Sequence, residues 1–513
     1  MYAKTVSYTL NGIDAEKIDI EVYIKNGMFK FTIVGLPSNS VKESRERVCA
    51  AIQNNNYYFP NSTYTVNLAP ADLKKDEVGL DLSIAVALLI ATKQLNMHKT
   101  EDYAIIGELS LDGEVRPVRG VLPFAVSAQR DGIKHLIVPK ENAAEAALIQ
   151  GINVYGVENL IETADFLSGN ITIPQTVTNV EDIFLNSHVE IDDMFDVKGQ
   201  YHVKRALEIA AAGGHNILML GPPGSGKTML ARRLPSILPE FTLEEALETT
   251  KIFSVAGLLN KYTKGVVVNR PFRAPHHTIS DIALIGGGST PKPGEVSLSH
   301  NGVLFLDELL EFKKSAIEVL RQPIEDGFVT ISRAVSSLCF PAKFMLVSSM
   351  NPCPCGYYGS NIEGHTCSCS SQQIIRYRSK ASGPLLDRID IHIEVPQLHF
   401  SELMHVPNGE KSEVIRERVN IARNLQLERF KKERIYCNSQ MSSKHIRKYC
   451  VLNEESKNLL QTAMSKKGLS ARAYDRILKL ARTIADIDKS EEIKFLHLSE
   501  AVQYRSMDRK YWE

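Results

Sequence analysis

The eight residues Gly221-Pro-Pro-Gly-Ser-Gly-Lys-Thr228 constrain this chain more than any other feature. They fit G-x-x-x-x-G-K-[ST]. They follow the apolar run Ile217-Leu218-Met219-Leu220 and precede a helix-forming stretch, Met229 to Arg233. A glycine-rich turn between strand and helix can curl until successive backbone amides face one anion. The helix N-terminus adds positive potential there. Such a pattern commits the chain to at least one α/β sheet that binds phosphate at the carboxyl ends of its strands. Gly221, Pro222, Pro223, Gly224, Ser225 and Gly226 then form the cradle. Lys227 neutralises the β and γ phosphates, and Thr228 offers a hydroxyl to Mg²⁺. ATP and Mg²⁺ are the expected cofactors.

A second run, Val303-Leu-Phe-Leu-Asp-Glu308, supports this reading. Four apolar residues suit a strand buried on both faces. Asp307 falls at its carboxyl end, placed to hold Mg²⁺ through water. Glu308 is the candidate general base for an attacking water. Asn351 follows a third apolar strand, Phe344 to Ser348, and can orient that water; a turn-forming Asn before Pro352 is the alternative. Ser382-Gly-Pro-Leu-Leu-Asp-Arg388 presents an arginine just before the strand Ile389 to Val395. From there it could reach a neighbouring subunit's nucleotide. Ser470-Ala-Arg-Ala-Tyr-Asp-Arg476 opens an amphipathic helix. Arg472 at a helix start opposes the helix dipole, which calls for an anionic partner. An ordinary solvated arginine is the alternative.

The chain has 513 residues, room for about three domains. Residues 1–170 read as an α/β unit, 171–195 as a polar linker, 196–400 as a parallel-sheet core and 401–513 as a helical lid. With 43% apolar and 23% charged residues, the chain is neither a disordered segment nor a disulfide-stapled mini-protein. Sixty basic residues balance sixty acidic ones, so nucleic-acid contact must come from local patches. The longest mostly apolar stretch, Leu82 to Ala91, is far short of the ~20 residues that cross a bilayer. No secretory leader is evident at the start. A cytoplasmic protein with no membrane contact is expected. Cys49, Cys339, Cys437 and Cys450 are scattered and read as reduced thiols.

The phosphate loop, the Leu306-Asp307-Glu308 strand end, Asn351, the Leu385-Leu386-Asp387-Arg388 stretch and the late helical arginine together resemble an AAA+ ATPase of the magnesium-chelatase-like group. Arg270-Pro-Phe-Arg-Ala-Pro-His-His-Thr278, Ala283-Leu-Ile-Gly-Gly-Gly288, Pro293-Gly-Glu-Val-Ser-Leu-Ser-His-Asn-Gly302 and Asn351-Pro-Cys-Pro-Cys-Gly356 more closely resemble the YifB/ComM family. The resemblance covers essentially the whole chain. It implies Asn351 as sensor 1, Arg388 as the arginine finger, Arg472 as the sensor 2 arginine, and a ring, expected to be a hexamer. It further implies a DNA motor, because ComM-type members act as helicases that drive branch migration in natural transformation. A remodelling chaperone or chelatase-type motor acting on a protein partner is the competing expectation.

Gly107-Glu-Leu-Ser-Leu-Asp-Gly-Glu-Val-Arg116 and Gly132-Ile-Lys-His-Leu-Ile-Val-Pro-Lys140 are similar to the Lon protease domain. In Lon-type enzymes a serine nucleophile is paired with a lysine. Aligning Lys74 to Ser83 with the Lon nucleophile stretch puts Asp81 at the serine position and Phe124 at that of the lysine. Neither side chain can replace its counterpart, and Ser83 is two residues out of register. The expected role is a ring platform, DNA contact surface or partner dock, not a peptidase.

Three regions are candidates for DNA contact. Residues 270–300 carry Arg270, Arg273, His276, His277 and Lys292 among glycines and prolines, which suits a mobile basic loop gripping a phosphate backbone. Phe328 to Ser332 and Val335 to Phe340 read as a hairpin with Arg333 at its tip. Residues 411–450 carry an excess of basic over acidic residues, with Arg416, Arg423, Lys431 and Arg434 at helical spacing. Structural packing between subunits is the alternative for the first two, and a solvated helix face is the alternative for the third. Cys353, Cys355, Cys367 and Cys369 form a C-x-C pair of pairs, and their four thiolates suit tetrahedral zinc, with His365 as a spare ligand. A redox pair or a metal-free turn is the alternative.

Overall fold

The computed structural model describes residues 1–75, 79–97, 99–179, 183, 192–259, 265–288, 291–332, 337–359, 366–397, 409–433, 435–467 and 470–505. Two sheets organise them. The first belongs to the N-terminal unit. Tyr2–Asn11 and Asp14–Asn26 pair antiparallel, with Tyr2 opposite Tyr23 and Asn11 opposite Asp14. Ser62–Ala69 lies beside the second of these, and its burial alternates strictly along the strand, as a period of two requires on a sheet with one packed face. The seven strands run in the order Lys30–Val34, Ser62–Ala69, Asp14–Asn26, Tyr2–Asn11, Tyr103–Ile105, His135–Pro139, Asn153–Val157.

The helix Asn39–Asn54 starts where Ser38 Oγ accepts the Val41 N–H at 3.3 Å, satisfying one of the free amides of the first turn. The helix Asp81–Ala91 is buried on almost every side, which explains its lack of a polar face.

The second sheet is entirely parallel. Its order is Phe272–Arg273, Val303–Leu306, Met345–Met350, Ile217–Leu220, Ile391–Glu394. Alternate residues feed opposite layers. Ile217, Met219, Val303, Phe305 and Val347 pack with Val203 and Leu207 and with Ile477, Ala481 and Ile484 of the C-terminal helices. Leu218, Leu220, Leu304, Leu306 and Leu346 pack against Leu284, Leu309, Ile317 and Leu385 on the other side. Covering both faces accounts for the unbroken apolar runs of Ile217–Leu220 and Val303–Leu306. The C-terminal helices Ser412–Arg429, Ser443–Tyr449, Glu454–Lys467, Ala471–Ile487 and Phe495–Gln503 share the first of these two cores with the sheet.

The N-terminal unit docks on the helix Leu243–Ala256. The Gly120 N–H donates to the Ser254 carbonyl at 3.2 Å. The buried Glu145 carboxylate accepts the Ser254 hydroxyl and, at 2.9 Å, the Leu122 N–H. Leu122, Leu148 and Val266 form a small apolar cluster beside these bonds. Part of the segment expected as a linker is also placed: Thr176 bridges to Val154 in the N-terminal sheet. Among the described residues no helix is long and apolar enough to cross a membrane.

Candidate functional site

The loop 221–226 leaves the carboxyl end of Ile217–Leu220 and enters the helix Lys227–Arg233. Gly224 and Gly226 have φ of +74° and +89°, a region where a side chain is strained. Those two residues turn the backbone tightly enough to aim its amides inward. The Lys227 ammonium is buried and donates to the Gly221 and Pro222 carbonyls, each at 2.8 Å, and to Asn351 Oδ1 at 3.3 Å. Burial pushes its pKa down to about 8, against the upward pull of Asp307 and Glu308. A buried ammonium held mainly by carbonyls lacks a full counter-charge, and this cradle fits a triphosphate.

Thr228 Oγ1 donates to Asp307 Oδ2 at 2.7 Å. Ser349 Oγ donates to Asp307 Oδ1. Hydroxyl and carboxylate oxygens are the donor set Mg²⁺ takes, so Thr228 and Asp307 fit that ion. Glu308 follows at φ +53°, where a non-glycine residue costs of order 1–3 kcal/mol. Its N–H donates to Ser349 Oγ and to Asp307 Oδ1, each at 3.2 Å. These bonds hold the strained turn, and the Glu308 side chain is exposed. The strand ends thus bring Lys227, Thr228, Asp307, Glu308 and Asn351 into one place, as the sequence pattern requires.

Two contributors went unread in the sequence. Ser349 is a polar residue inside the buried strand Met345–Met350, a placement that could have marked it. Gln200, itself at φ +50°, donates from Nε2 to the Ser225 carbonyl at 2.9 Å and to the Pro396 carbonyl at 3.2 Å. It ties the phosphate loop to the last strand of the sheet, a tertiary contact with no local sequence signal.

Arg388 and Arg472 are elsewhere. The Arg388 carbonyl accepts from Asn216 Nδ2 at 3.1 Å, and the Asn216 N–H donates to Asp390 Oδ2 at 3.0 Å. Asn216 opens the strand whose far end is Gly221, and five extended residues span roughly 16 Å at about 3.3 Å each. The Arg388 guanidinium is nearly buried, donating to Glu325 and, at 2.7 Å, to the Pro384 carbonyl. Arg472 approaches the same Glu325 at 3.8 Å. Both arginines therefore lie at the opposite end of the sheet from their own phosphate loop. Arg388 is not displayed as a free finger, because Glu325 holds it.

Three expected DNA contacts are corrected by their partners. Arg270 is engaged by Glu245 at 2.8 Å and donates to the carbonyls of Pro239, Glu240 and Asn301. Arg273 forms two bonds to Glu295, at 2.6 and 2.7 Å. Arg423 is buried and donates to the Ala211 and Ala212 carbonyls at the end of the helix Tyr201–Gly213, where a cation suits the helix dipole. These arginines are structural, and the start of the 270–300 segment is pinned, not mobile. His276 and Lys292 are exposed, with the His277 ring tilted against that of His276 at 4.1 Å between ring centres. The hairpin is present as Phe328–Ser332 and Ser337–Pro341, with Ser332 opposite Ser337. Arg333 at its tip, Arg434 and His365 lie outside the described residues. In the C-terminal helical region Lys431 is exposed and Arg416 is half-buried.

In the N-terminal unit, Asp81 is fully buried at the start of its helix. Arg47 grips it at 2.6 and 3.1 Å, and the Leu109 N–H adds a bond at 3.3 Å. Phe124 is core. Ser83 is buried with its hydroxyl 3.1 Å from that of Thr5. Asp81 thus serves as a structural counter-charge. Cys353, Cys355, Cys367 and Cys369 come together, with all four sulfurs within 4.8 Å of one another.

The family model "Magnesium chelatase, subunit ChlI" matches residues 193–403, its C-terminal counterpart matches 409–505, and "Subunit ChlI of Mg-chelatase" matches 20–142. Competence protein ComM of Haemophilus influenzae is 46% identical over 500 residues, covering 97% of this chain and 96% of that one. YifB of Escherichia coli is 44% identical over 503 residues, with the same two coverages. A Lon protease of Mycoplasma mycoides is 26% identical over 147 residues, 27% of this chain and 18% of that one. With the parallel sheet, phosphate loop and helical C-terminal region in place, this chain belongs to the ComM/YifB family of magnesium-chelatase-like AAA+ proteins.

Proposed function

We propose that this protein is an ATP-hydrolysing ring motor that moves DNA, with branch migration of recombination intermediates as its task. The observation that carries the motor reading is the pairing of one complete phosphate site with two arginines that cannot reach it within the same chain. Lys227 and the loop amides bind the triphosphate. Thr228 and Asp307 would hold Mg²⁺, which would supply neutralisation of the phosphate charge. Asn351 and Glu308 position a water, and Glu308 takes its proton as the water oxygen bonds to the γ-phosphorus and the bond to the bridging oxygen breaks. ADP leaves with that oxygen. Arg388 from the next subunit exchanges Glu325 for the transferring phosphoryl group, and Arg472 joins it there. Completing each turnover needs two copies of the chain, which supports a ring, and a hexamer by family likeness.

The competence-related name of the Haemophilus relative supports DNA as the substrate. One observation favours the protein-remodelling alternative: Arg270, Arg273 and Arg423 are all engaged within the chain, which leaves fewer free cations for a phosphate backbone. The rate of ATP turnover with and without single-stranded or forked DNA, and unwinding of a branched duplex, decides between the two, with Glu308→Gln as the inactive control. The DNA reading expects stimulation and unwinding in the wild type alone. Turnover indifferent to every DNA, with no DNA binding, rejects it in favour of a protein substrate.

A further inference from the structure

We propose that Cys353, Cys355, Cys367 and Cys369 bind one zinc ion, and that this metal knot braces the phosphate loop. The sulfurs of Cys353 and Cys355 are 3.3 Å apart, those of Cys353 and Cys367 3.7 Å, and those of Cys355 and Cys367 3.6 Å. Zn–S bonds of about 2.3 Å place the sulfurs of a tetrahedral site about 3.8 Å apart. The cluster is therefore close to metal-binding dimensions already. Four sulfur donors with no carboxylate among them select zinc over magnesium or calcium. They also leave no open coordination position, which marks a structural site and not a catalytic one.

Backbone amides hold the first ligand in place. The Tyr358 N–H donates to Cys353 Sγ at 3.3 Å, and the Gly356 N–H closes a turn onto the Cys353 carbonyl at 3.0 Å. N–H donors to metal-bound sulfur are the outer-shell bonds that fix a ligand's orientation.

The knot is tied to the nucleotide site at three points. Asn351, two residues before the first ligand, bonds Lys227 at 3.3 Å. The Gly221 N–H donates to the Met350 carbonyl at 3.2 Å. Gly356, directly after the second ligand, has φ +88° and lies so close to Pro223 that a Cβ there would be 2.5 Å from its ring. Arg378 completes the frame: its Nε donates to the Pro352 carbonyl at 3.1 Å, and its guanidinium lies 5.1 Å from the centre of the Tyr358 ring. The segment 352–358 is thus clamped between the sensor strand and the phosphate loop. The metal replaces the apolar core that so short a segment cannot build for itself.

The test uses the full-length protein, purified under reducing conditions from zinc-supplemented cells. Zinc content is measured by mass spectrometry without nucleotide, so the result is independent of the ATPase reading. One zinc per chain is expected, and replacing Cys367 and Cys369 together by serine reduces it to background. Cobalt added to metal-stripped wild type gives the visible bands and the near-ultraviolet thiolate band of a tetrahedral sulfur site, a readout that no variant's folding can confound. Metal-stripped protein also binds a fluorescent ATP analogue more weakly than the reloaded protein, with recovery on adding zinc. Reduced wild type that is zinc-free and shows no cobalt spectrum overturns the site. Zinc retained by the double-serine variant overturns the ligand assignment, and nucleotide affinity unchanged by stripping overturns the brace.

Discussion

Replacing Glu308 by Gln lowers ATP turnover by about 10²–10⁴-fold, the range a positioned general base contributes, while nucleotide affinity stays within a few-fold of wild type. The split follows from geometry. Lys227, Thr228 and Asp307 bind the triphosphate and its metal through contacts that do not include the Glu308 side chain. The Glu308 backbone is held at φ +53° by Ser349 and Asp307 through its N–H, and an amide side chain leaves those bonds in place. Turnover and the affinity for a fluorescent nucleotide, measured on the same preparation, check the result. A variant that loses affinity and turnover together would show that Glu308 organises the site and does not act on water.

Arg388→Ala is expected to cut turnover by about 10³-fold or more, the scale of an arginine finger supplied in trans. Nucleotide affinity stays within a few-fold of wild type, because within its own chain the side chain lies at the far end of the sheet from the phosphate loop, and it engages the neighbour's nucleotide only as the phosphoryl group transfers. Arg388→Lys does not restore the rate, since a point charge on a flexible stem cannot reproduce the planar fork. The fold tolerates the change. Glu325 is half-exposed and keeps Arg472 as a partner, so no buried charge is stranded. Steady-state kinetics beside thermal unfolding separates the two effects.

The nucleotide site was legible because each of its parts is written locally. A loop glycine with positive φ, a strand buried on both faces and a carboxylate at its end all leave composition signatures a few residues long. The same holds for the hairpin after Gly327. Tyr2–Asn11 and Ser62–Ala69 were not read, although both are long strands. Their Thr, Ser and Tyr residues blur the alternation, and only pairing with Asp14–Asn26 defines the strands. The basic segments misled for a related reason. Charge counts along the chain cannot show that Glu245 lies beside Arg270, Glu295 beside Arg273, or the end of a helix beside Arg423. Those partners are up to some two hundred residues away in sequence, and the pairings exist only once the fold does. Arg388 shows the same limit, because its position in the sequence says nothing about the Glu325 carboxylate that holds it.

The central claim is that each ATP is shared between two copies of this chain, one binding the triphosphate and its neighbour contributing Arg388. The most direct measurement mixes two inactive variants, Lys227→Ala and Arg388→Ala, and follows ATP turnover as their ratio is varied. In a mixed ring, an Arg388→Ala subunit keeps an intact phosphate loop, and a Lys227→Ala neighbour supplies the missing arginine. The account predicts that turnover rises from near zero to a maximum at intermediate ratios. Turnover that stays at the level of the separate variants at every ratio, although the subunits demonstrably co-assemble, contradicts it.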